Sequence, residues 1–397
     1  MPVQRTDQQP TTATTSPELI TRARGLTAML ASHAAEAERI RKPVDAVIRA
    51  LEEAEIFKLM VPRCYGGLEL DLDTFLEVGL ALGEGDTSMA WVANFYIEHN
   101  WILSQFPAAF QQELFANRSY VLAPAMLAPA GVATREGAGY RLNGRWQWAS
   151  GVMHCDWVIP GAREQTPDGK PDPRWFAVPL SEVKVEDTWY VDGMVGTGSN
   201  DVVIENVYIP AERSVSMVEM GNDEAPGSRL HAGPLYRTPM LPVLTIAALT
   251  PALGQARVAV QRFREGLTDR MRLGSRVKQG HKASAQMRLA RVEVEVREAE
   301  LLVRDVVTDV CARRNTAPML DRARWATQFA TAVDRCKRVV QTVVEASGAH
   351  AHFLDHPLQR ALRDLNTISC HVVFDLDGRL EAFGRLMLGL DAGGALL

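Results

Sequence analysis

Several features that would assign this 397-residue chain to a common class are missing from its sequence. Its five cysteines are scattered singly, with no Cys-x-x-Cys or Cys/His spacing, which excludes a zinc module and predicts reduced thiols. No run of about 18 apolar residues occurs, so no transmembrane helix is predicted. A net charge of −5 excludes the basic excess of nucleic-acid-binding proteins. We therefore expect a cytoplasmic globular protein without a metal site.

The N-terminus and the nucleotide motifs add two more absences. Residues 1–16 are polar, rich in Thr, Pro and Gln, and lack the apolar core of a signal peptide, which predicts a disordered tail. No Gly-x-Gly-x-x-Gly follows a predicted strand, so we expect that the chain does not itself bind NAD(P)H.

What is present divides the chain into three parts. Residues 17–119 repeat apolar side chains at helical spacing and predict a helical domain. Residues 120–230 hold short β-rich runs, a predicted hairpin turn at Asn143-Gly144 and a linker candidate at 220–233, and predict a small β domain. Residues 231–397 hold four long amphipathic segments, at 251–273, 281–314, 320–347 and 357–390, which predict a four-helix bundle.

This order predicts an α+β fold that is mostly α. The apolar stripes of the predicted bundle helices are wide, so we expect a second molecule to cover part of them.

The stretch from Pro357 to His371 mixes an apolar stripe with charged and titratable residues. On a straight helix Arg360, Asp364 and His371 would lie close to one face, at positions i, i+4 and i+11. Spacing alone leaves two interpretations open with about equal weight: a buried Arg–Asp pair beside a core histidine, or part of an active site.

Five motifs in sequence order carry a family resemblance. They are Trp148-Ala-Ser-Gly151 followed by Cys155-Asp-Trp157, Gly193-Met-Val-Gly-Thr-Gly-Ser199, Val207-Tyr-Ile-Pro-Ala-Glu-Arg213, Glu345-Ala-Ser-Gly-Ala-His350 and Arg360-Ala-Leu-Arg-Asp364. Together they resemble the acyl-CoA dehydrogenase fold over about residues 20 to 390, which implies an N-terminal helical domain, a central small β-barrel domain and a C-terminal four-helix bundle.

The chain departs from that family at the catalytic base. A dehydrogenase needs a carboxylate to remove the α-proton of a thioester, in most members the Glu of a Tyr-Glu-Gly run in the final helix. Those positions hold His371 and Val372 here, and no Asp or Glu occurs between Glu224 and Glu265, where some members carry it instead. The pattern Arg-Asp…Ser-x-His resembles the flavin-dependent monooxygenases built on the same fold.

That resemblance implies the oxygenase component of a two-component system. Such enzymes take reduced FAD or FMN from a separate NAD(P)H:flavin reductase, react it with O2 to a C4a-hydroperoxide, and hydroxylate or epoxidise a small aromatic substrate, here phenolic or indole-like. It also implies a homotetramer. Two alternatives are an acyl-CoA dehydrogenase with a displaced base and a flavin-free scaffold of the same fold.

The resemblance also assigns roles to residues. His371, Ser150 and His99 are the predicted catalytic residues, with His371 near the reacting carbon, at a pKa near neutrality, and Ser150 near flavin N5. Predicted cofactor contacts are Trp148, Ser150, Thr197, Ser199, Arg270, Ser347 and Gly348. Predicted substrate contacts are Phe95, Tyr96, His99, Asn100 and Trp101. Arg363 and Asp364 are predicted to form a structural ion pair, and for His371, Ser150 and His99 the competing interpretation is core packing.

Overall fold

The computed structural model describes residues 14–164, 172–269 and 278–394. The chain begins with a helical region in which apolar residues recur at helical spacing and face inward. Its helices are α1 (Ser16–Ile40), α2 (Asp45–Glu53), α3 (Leu72–Gly85), α4 (Thr87–Leu103) and α5 (Ala108–Leu114). Asp71 and Asp86 cap α3 and α4 by accepting hydrogen bonds from backbone amides of the first turn, which fixes where the two helices begin.

An eight-stranded mixed sheet follows, with strand order β6-β7-β2-β1-β3-β4-β8 and β5 paired to β3. The strands are β1 (Ala125–Glu136), β2 (Gly139–Trp146), β3 (Trp157–Glu164), β4 (Asp172–Phe176), β5 (Val178–Pro179), β6 (Lys184–Glu186), β7 (Asp201–Pro210) and β8 (Ser214–Ser216). The sheet encloses its own apolar core, around Tyr140, Trp146 and Phe176.

The C-terminal region returns to helices. Two short ones, α6 (Met217–Gly221) and α7 (Pro226–Leu230), precede α8 (Met240–Asp269), α9 (Ala283–Arg313), α10 (Met319–Ser347), α11 (Pro357–Ile368) and α12 (Leu376–Met387). One described helix has the length and apolar composition of a membrane span, over Met240–Thr268, and 89% of its most apolar window is buried inside the protein.

The two helical regions share a single apolar core. Helix α8 crosses α3 at close range, and a Cβ added at Gly254 would lie 2.6 Å from the backbone carbon of Gly83. Glycine at this crossing lets the two backbones approach more closely than side chains would allow. The sequence therefore predicted the helical and β regions correctly as separate stretches, while the fold joins the first and last stretches into one body with the sheet at its side.

The predicted hairpin at Asn143-Gly144 is wrong. The β1–β2 hairpin turns at Gly137-Ala138, and residues 143 and 144 lie inside β2, where the pairing with β7 shifts register. Added Cβ atoms at Gly144 and Gly131 would lie 2.7 Å and 2.1 Å from the ring of Trp146. The Asn-Gly pair therefore serves a bulge that makes room for a buried tryptophan.

The predicted fourth bundle helix, at 357–390, is also wrong as a single element. It breaks after Ile368, passes through a 3-10 turn at Val372–Phe374, and resumes as α12. The side chains of His371 and Asp375 cap the turn and α12 respectively. β-branched residues at Thr367, Ile368, Val372 and Val373 weaken the helix there, and the caps favour two separate starts. His371 is thus not on a straight helix with Arg360 and Asp364.

The structure also bears on the predicted tail, the predicted linker and the predicted domain boundaries. Of the predicted tail, residues 1–13 lie outside the described residues, whereas Ser16 already begins α1 and Thr14 hydrogen-bonds Glu55 at 2.7 Å. The linker candidate at 220–233 includes α7, which packs closely on the chain after α4: a Cβ at Gly227 would lie 1.9 Å from the Ser104 carbonyl oxygen. The predicted domain boundaries at 119/120 and 230/231 lie between elements.

Candidate functional site

A large cavity lies where the sheet meets helices α4, α8 and α11. Its volume is about 1510 Å³, and its walls are mostly apolar. Predicted site residues that line it are Phe95, His99, Trp148, Ser150, Thr197, Ser199 and His371. The fold thus brings together residues that are up to 276 positions apart in the sequence. Among the described residues no group of His, Cys, Asp and Glu could hold a metal ion.

Ser150 is presented to the cavity by a strained turn after β2. Trp148 has a φ of +65°, a left-handed conformation that a bulky residue adopts at a cost, and its side chain is 63% exposed at the cavity edge. The amides of Ala149 and Gly151 donate to the carbonyls of Asn200 and Thr197. These bonds hold the turn against the loop that precedes β7.

A chain of hydroxyl groups runs along this wall of the cavity. The indole Nε1 of Trp91 donates to Ser150 Oγ at 3.2 Å, and Ser150 Oγ lies 2.7 Å from Ser199 Oγ. Ser199 Oγ lies 2.6 Å from Thr197 Oγ1, which in turn donates to the Met194 carbonyl oxygen at 2.8 Å. Three predicted cofactor contacts therefore form one connected network, which we call the hydroxyl relay.

His371 faces the same cavity from the break between α11 and α12. Its ring packs edge-on to Trp91, with centroids 5.5 Å apart, and its Nδ1 accepts a hydrogen bond from the Val373 amide at 3.4 Å. Burial, and next the nearby Arg379 guanidinium, lower the pKa of His371 to about 4. The prediction of a pKa near neutrality is therefore wrong, because the half-buried ring lies in apolar surroundings beside a cation.

The Nδ1 contact also assigns the tautomer of His371. A neutral imidazole that accepts at Nδ1 carries its proton on Nε2. Within the described ranges, Nε2 has no hydrogen-bond partner in the protein. His371 thus keeps one nitrogen available to a ligand in the cavity.

His99 on α4 is held differently. Its Nδ1 lies 2.6 Å from the Ala123 carbonyl oxygen, so it must donate there, and its Nε2 lies 3.2 Å from Glu98 Oε2. Burial raises the pKa of Glu98 well above its usual range and lowers that of His99 to about 3. The carboxyl of Glu98 is therefore protonated and faces the bare Nε2. Nδ1 of His99 is thus committed to the backbone, while Nε2 lies near a carboxyl whose two oxygens have no hydrogen-bond partner among the described residues.

Three predicted substrate contacts do not line the cavity. Tyr96 donates to the Gly151 carbonyl, Asn100 bonds the backbone of Tyr96 and Val121, and Trp101 donates to the Leu235 carbonyl. All three are at most 1% exposed. Their positions correct the prediction of substrate contact: they are core residues that satisfy buried backbone groups.

Two other predicted cofactor contacts, Ser347 and Gly348, are separate from this cavity. Ser347 lines a smaller cavity of about 330 Å³ at the end of α10, and Gly348 follows it with a φ of +72°. Neither residue lines the main cavity, so neither would contact a cofactor bound there in the same chain. Arg270 lies outside the described residues.

Helix α11 is anchored by the residues that the sequence assigned to structure. Asp364 Oδ1 accepts from the Met194 amide at 2.6 Å, and Arg363 bonds the Asp192 carbonyl at 2.5 Å and Glu38 at 2.6 Å. Burial, and next the nearby Asp86, raise the pKa of Asp364 to about 7. The predicted Arg363–Asp364 pair is absent from the described ion pairs, because each partner instead holds a neighbouring segment. Asp364 thereby holds the loop of the hydroxyl relay.

Comparisons with known proteins agree with this geometry. Residues 244–376 match the family described as "Acyl-CoA dehydrogenase, C-terminal domain". A "Pigment production hydroxylase" of Rhodococcus sp. is 34% identical, with 96% of this chain and 99% of that protein covered. The "Flavin-dependent monooxygenase, oxygenase subunit HsaA" of Mycobacterium tuberculosis is 30% identical over 91% of this chain and 92% of its own length. This chain belongs to the flavin-dependent monooxygenases.

Two further similarities extend over nearly the whole monooxygenase chain. A crystal structure of HsaA from M. tuberculosis superposes with a TM-score of 0.90 at 28% identity, covering 96% of this chain and 100% of that one. The "FADH(2)-dependent resorcinol hydroxylase, oxygenase component" of Rhizobium sp. is 28% identical and covers 97% of this chain and 98% of its own. Together with family membership, they confirm the predicted acyl-CoA dehydrogenase-like fold, the enzyme class and the use of reduced flavin with O2.

Two site residues have positions that the sequence did not predict in full. The sequence made Trp91 a candidate for the wall of an aromatic pocket, together with Trp101, Trp146 and Trp148, but not the residue that bridges Ser150 and His371. Glu98 lies among the predicted substrate contacts of α4, but only its complete burial distinguishes it from a surface glutamate. A carboxyl beside a histidine in an otherwise apolar helix is the signal that could have identified it.

Proposed function

We propose that this monooxygenase oxygenates a small, uncharged aromatic compound, phenolic or indole-like, in the main cavity. The single observation that carries the proposal is the position of Trp91, which contacts His371 on one side and Ser150 on the other within one cavity. We therefore expect His371 and Ser150 to contact molecules bound in the same cavity.

The residues present fit a flavin. The cavity of about 1510 Å³ exceeds the roughly 300–1,000 Å³ of a typical single-ligand site, so a flavin ring system and a small aromatic molecule both have room. Ser150, Thr197 and Ser199 offer hydroxyl groups along one wall, and Trp148 offers an exposed aromatic face at its edge. Bound reduced flavin supplies the two electrons with which O2 is activated.

His371 interacts with the oxygen atom that is transferred to the substrate. As a neutral imidazole with its proton on Nε2, it donates a hydrogen bond to an oxygen atom in the cavity at neutral pH. Because Nδ1 is held only by a long contact to the Val373 amide, the ring can also exchange tautomers and accept a proton from a phenol O–H or an indole N–H.

The substrate end of the cavity lies between α4, α8 and α11. Its lining is apolar and aromatic: Trp91, Phe95, Ile102, Leu241, Leu244 and Ile368. Phe95 packs against both Trp91 and His99, with ring centroids 4.7 Å and 5.2 Å away. Such walls exclude water and suit a flat ring. The name of the resorcinol hydroxylase supports a phenolic substrate.

The cavity does not favour an acyl-CoA dehydrogenase with a displaced base. In the part of the chain that the structure describes, Asp391 is the one carboxylate of the lining; its side chain is 82% exposed and pairs with Arg385. An exposed, ion-paired carboxylate is a poor base for an α-proton.

The partners follow from the same proposal. The names of HsaA and the resorcinol hydroxylase call them an oxygenase subunit and an oxygenase component, which supports a separate flavin reductase for this chain. A homotetramer is supported by an exposed apolar row on α9, Met287, Val294 and Leu301, spaced seven residues apart on one helix face. The cytoplasmic location stays a prediction.

The test supplies chemically reduced FMN or FAD, then ¹⁸O2, with phenols and indoles as candidate substrates. We expect a product that carries one ¹⁸O atom, detected by mass spectrometry, and its loss in His371→Ala. An acyl-CoA that bleaches tightly bound oxidised FAD, with no labelled product from any aromatic compound, would instead support the dehydrogenase. Absence of binding to either flavin state would support a scaffold.

A further inference from the structure

The hydroxyl relay has a donor-only group at one end and an acceptor-only group at the other. An indole Nε1–H, here that of Trp91, can only donate, and a backbone carbonyl, here that of Met194, can only accept. Between them stand three hydroxyls, each with one hydrogen to donate. The distances along the chain, 3.2, 2.7, 2.6 and 2.8 Å, are all within hydrogen-bond range.

These ends fix the direction of every hydrogen in the relay. Thr197 must give its one hydrogen to Met194, so Ser199 must donate to Thr197, and Ser150 must donate to Ser199. Trp189 Nε1 also donates to the Met194 carbonyl at 3.0 Å, which fixes that oxygen as an acceptor. A reversed relay would place a lone pair of Thr197 against the lone pairs of the Met194 carbonyl oxygen, so the Met194 end decides the direction. The hydroxyls therefore point one way, from Trp91 toward Met194.

One consequence concerns the face that Ser150 presents to the cavity. Its hydrogen is committed to Ser199 and one lone pair to Trp91, so a single lone pair remains. Ser150 is partly exposed, whereas Thr197 and Ser199 are 1% and 3% exposed. Towards a ligand, Ser150 is thus an acceptor that cannot donate.

We propose that the hydroxyl relay, through Thr197 and Ser199, selects the reduced state of the flavin by holding Ser150 as an acceptor. Reduced flavin carries a hydrogen on N5 and can donate to Ser150. Oxidised flavin presents a lone pair at N5 and would meet the lone pair of Ser150. The inference rests on the proposed function, because it takes N5 of the bound flavin to lie at Ser150.

The relay thereby matches a cofactor that arrives reduced and leaves oxidised. An unpaired buried polar contact is costly, so the wild-type chain should bind reduced flavin at least about fivefold more tightly than oxidised flavin. A tenfold ratio raises the two-electron midpoint potential of the bound flavin by about 30 mV over free flavin. The ratio and the potential are independent measurements of the same selectivity.

The experiment titrates the full-length chain anaerobically with FMN and with FAD, each in the oxidised and the dithionite-reduced state, by calorimetry. Thr197→Val keeps the shape of the side chain and removes the terminal donor, which frees Ser199, and then Ser150, to turn its hydrogen. We expect tighter binding of oxidised flavin and a five- to tenfold drop, roughly, in selectivity. Ser199→Ala interrupts the relay one step earlier and should act in the same direction.

Thr245→Val is the matched control. Thr245 is 1% exposed and donates to the Leu241 carbonyl at 2.7 Å on α8, and it does not line the cavity. This variant should leave the selectivity unchanged. Should Thr197→Val fail to fold, Thr197→Ser keeps the donor and should retain the selectivity, while Ser199→Ala should lose it.

The outcomes separate the two proposals. If neither flavin state binds, the proposed function fails, and the relay inference fails with it. If reduced flavin binds but oxidised flavin binds equally well, only the relay inference is overturned. Wild-type selectivity that persists in both Thr197→Val and Ser199→Ala would also overturn it, because Ser150 would then be an acceptor for some other reason.

Discussion

Two histidines line the same cavity, and their surroundings differ in what is left for a ligand. His99 sits in the middle of α4 with Nδ1 bonded to a backbone carbonyl and Nε2 against the carboxyl of Glu98. His371 sits where a helix breaks, with Nδ1 held by one long contact and Nε2 without a partner in the described chain. Both are neutral at pH 7, because burial lowers the pKa of each.

The role of a histidine therefore depends on whether it lies within a continuous helix or at a break between two helices. Within α4, the histidine is buried at the cavity wall and contributes to packing and to the pairing of a buried backbone carbonyl. At the break, His371 caps the 3-10 turn at Val372–Phe374, and its ring lines the cavity. We therefore propose that His371 takes part in the chemistry and that His99 has a structural role, a division that mutation can test.

The largest expected effect is the loss of oxygenation in His371→Ala. Removing a hydrogen-bond donor or proton acceptor at the reacting oxygen should lower kcat/KM for product formation by about 10²–10³-fold. Product formed per reduced flavin consumed, together with hydrogen peroxide released, is the measurement. Stability should change little, because the ring is only half-buried. An equal loss of kcat/KM in His99→Ala, with unchanged affinity for reduced flavin, would contradict the different roles proposed for the two histidines.

Stability should respond in the opposite order. His99→Ala leaves a cavity and an unpaired Ala123 carbonyl, and should lower the free energy of unfolding by about 2–4 kcal/mol. His371→Ala should cost about 1 kcal/mol or less, since few buried polar groups lose a partner. Urea unfolding monitored by tryptophan fluorescence gives both values. Similar losses in the two variants would contradict the contrast.

The pH dependence of stability offers a smaller effect. The pKa of His371 is lowered from about 6.5 unfolded to about 4 folded, so the unfolded chain binds more protons between these values. Its contribution to stability is therefore complete above pH 6.5 and is lost as the pH falls towards 4. The full shift corresponds to about 3 kcal/mol, but solvent screens the partly exposed ring. The difference in unfolding free energy between wild type and His371→Gln should therefore change by about 1–2 kcal/mol across that window and be flat above it.

Much of the fold could be predicted because its causes are local. Apolar residues at helical spacing marked α1 to α4 and α8 to α10, and the β-rich runs marked β3 and β7. The break after Ile368 could not be read in the same way, since no Gly or Pro marks it and the apolar period continues through it. The hairpin turn predicted at Asn143-Gly144 was wrong for a related reason. The packing of Trp146 against Gly144 is a tertiary contact, and it outweighs the local turn preference of the Asn-Gly pair.

The sequence could indicate single residues of the candidate site, but not the contacts between them. Ser150 and His371 could be named because their motifs are short, and the structure places both on the cavity. The relay could not, because Trp91, Ser150 and Ser199 come from three separate stretches that only the fold connects. Protonation was equally out of reach: the neutral state of His371 and the protonated carboxyl of Glu98 follow from burial, which depends on the whole core.

The smallest expected effect tests the protonation of Glu98 and so the enclosed state of His99. In Glu98→Gln, a neutral amide replaces a neutral carboxyl of the same shape beside Nε2, so stability at pH 7 should stay within about 1 kcal/mol of wild type. Because the folded pKa of Glu98 is raised above 4.5, wild type loses stability as the pH rises above that value, and the variant should gain on it. Glu98→Leu, the matched control, removes the titrating group altogether, so its stability should lack the same loss at rising pH. If Glu98 were instead ionised against a protonated His99, Glu98→Gln would leave a buried charge unpaired and cost about 3–5 kcal/mol, an outcome that would make His99 a charged residue of the site.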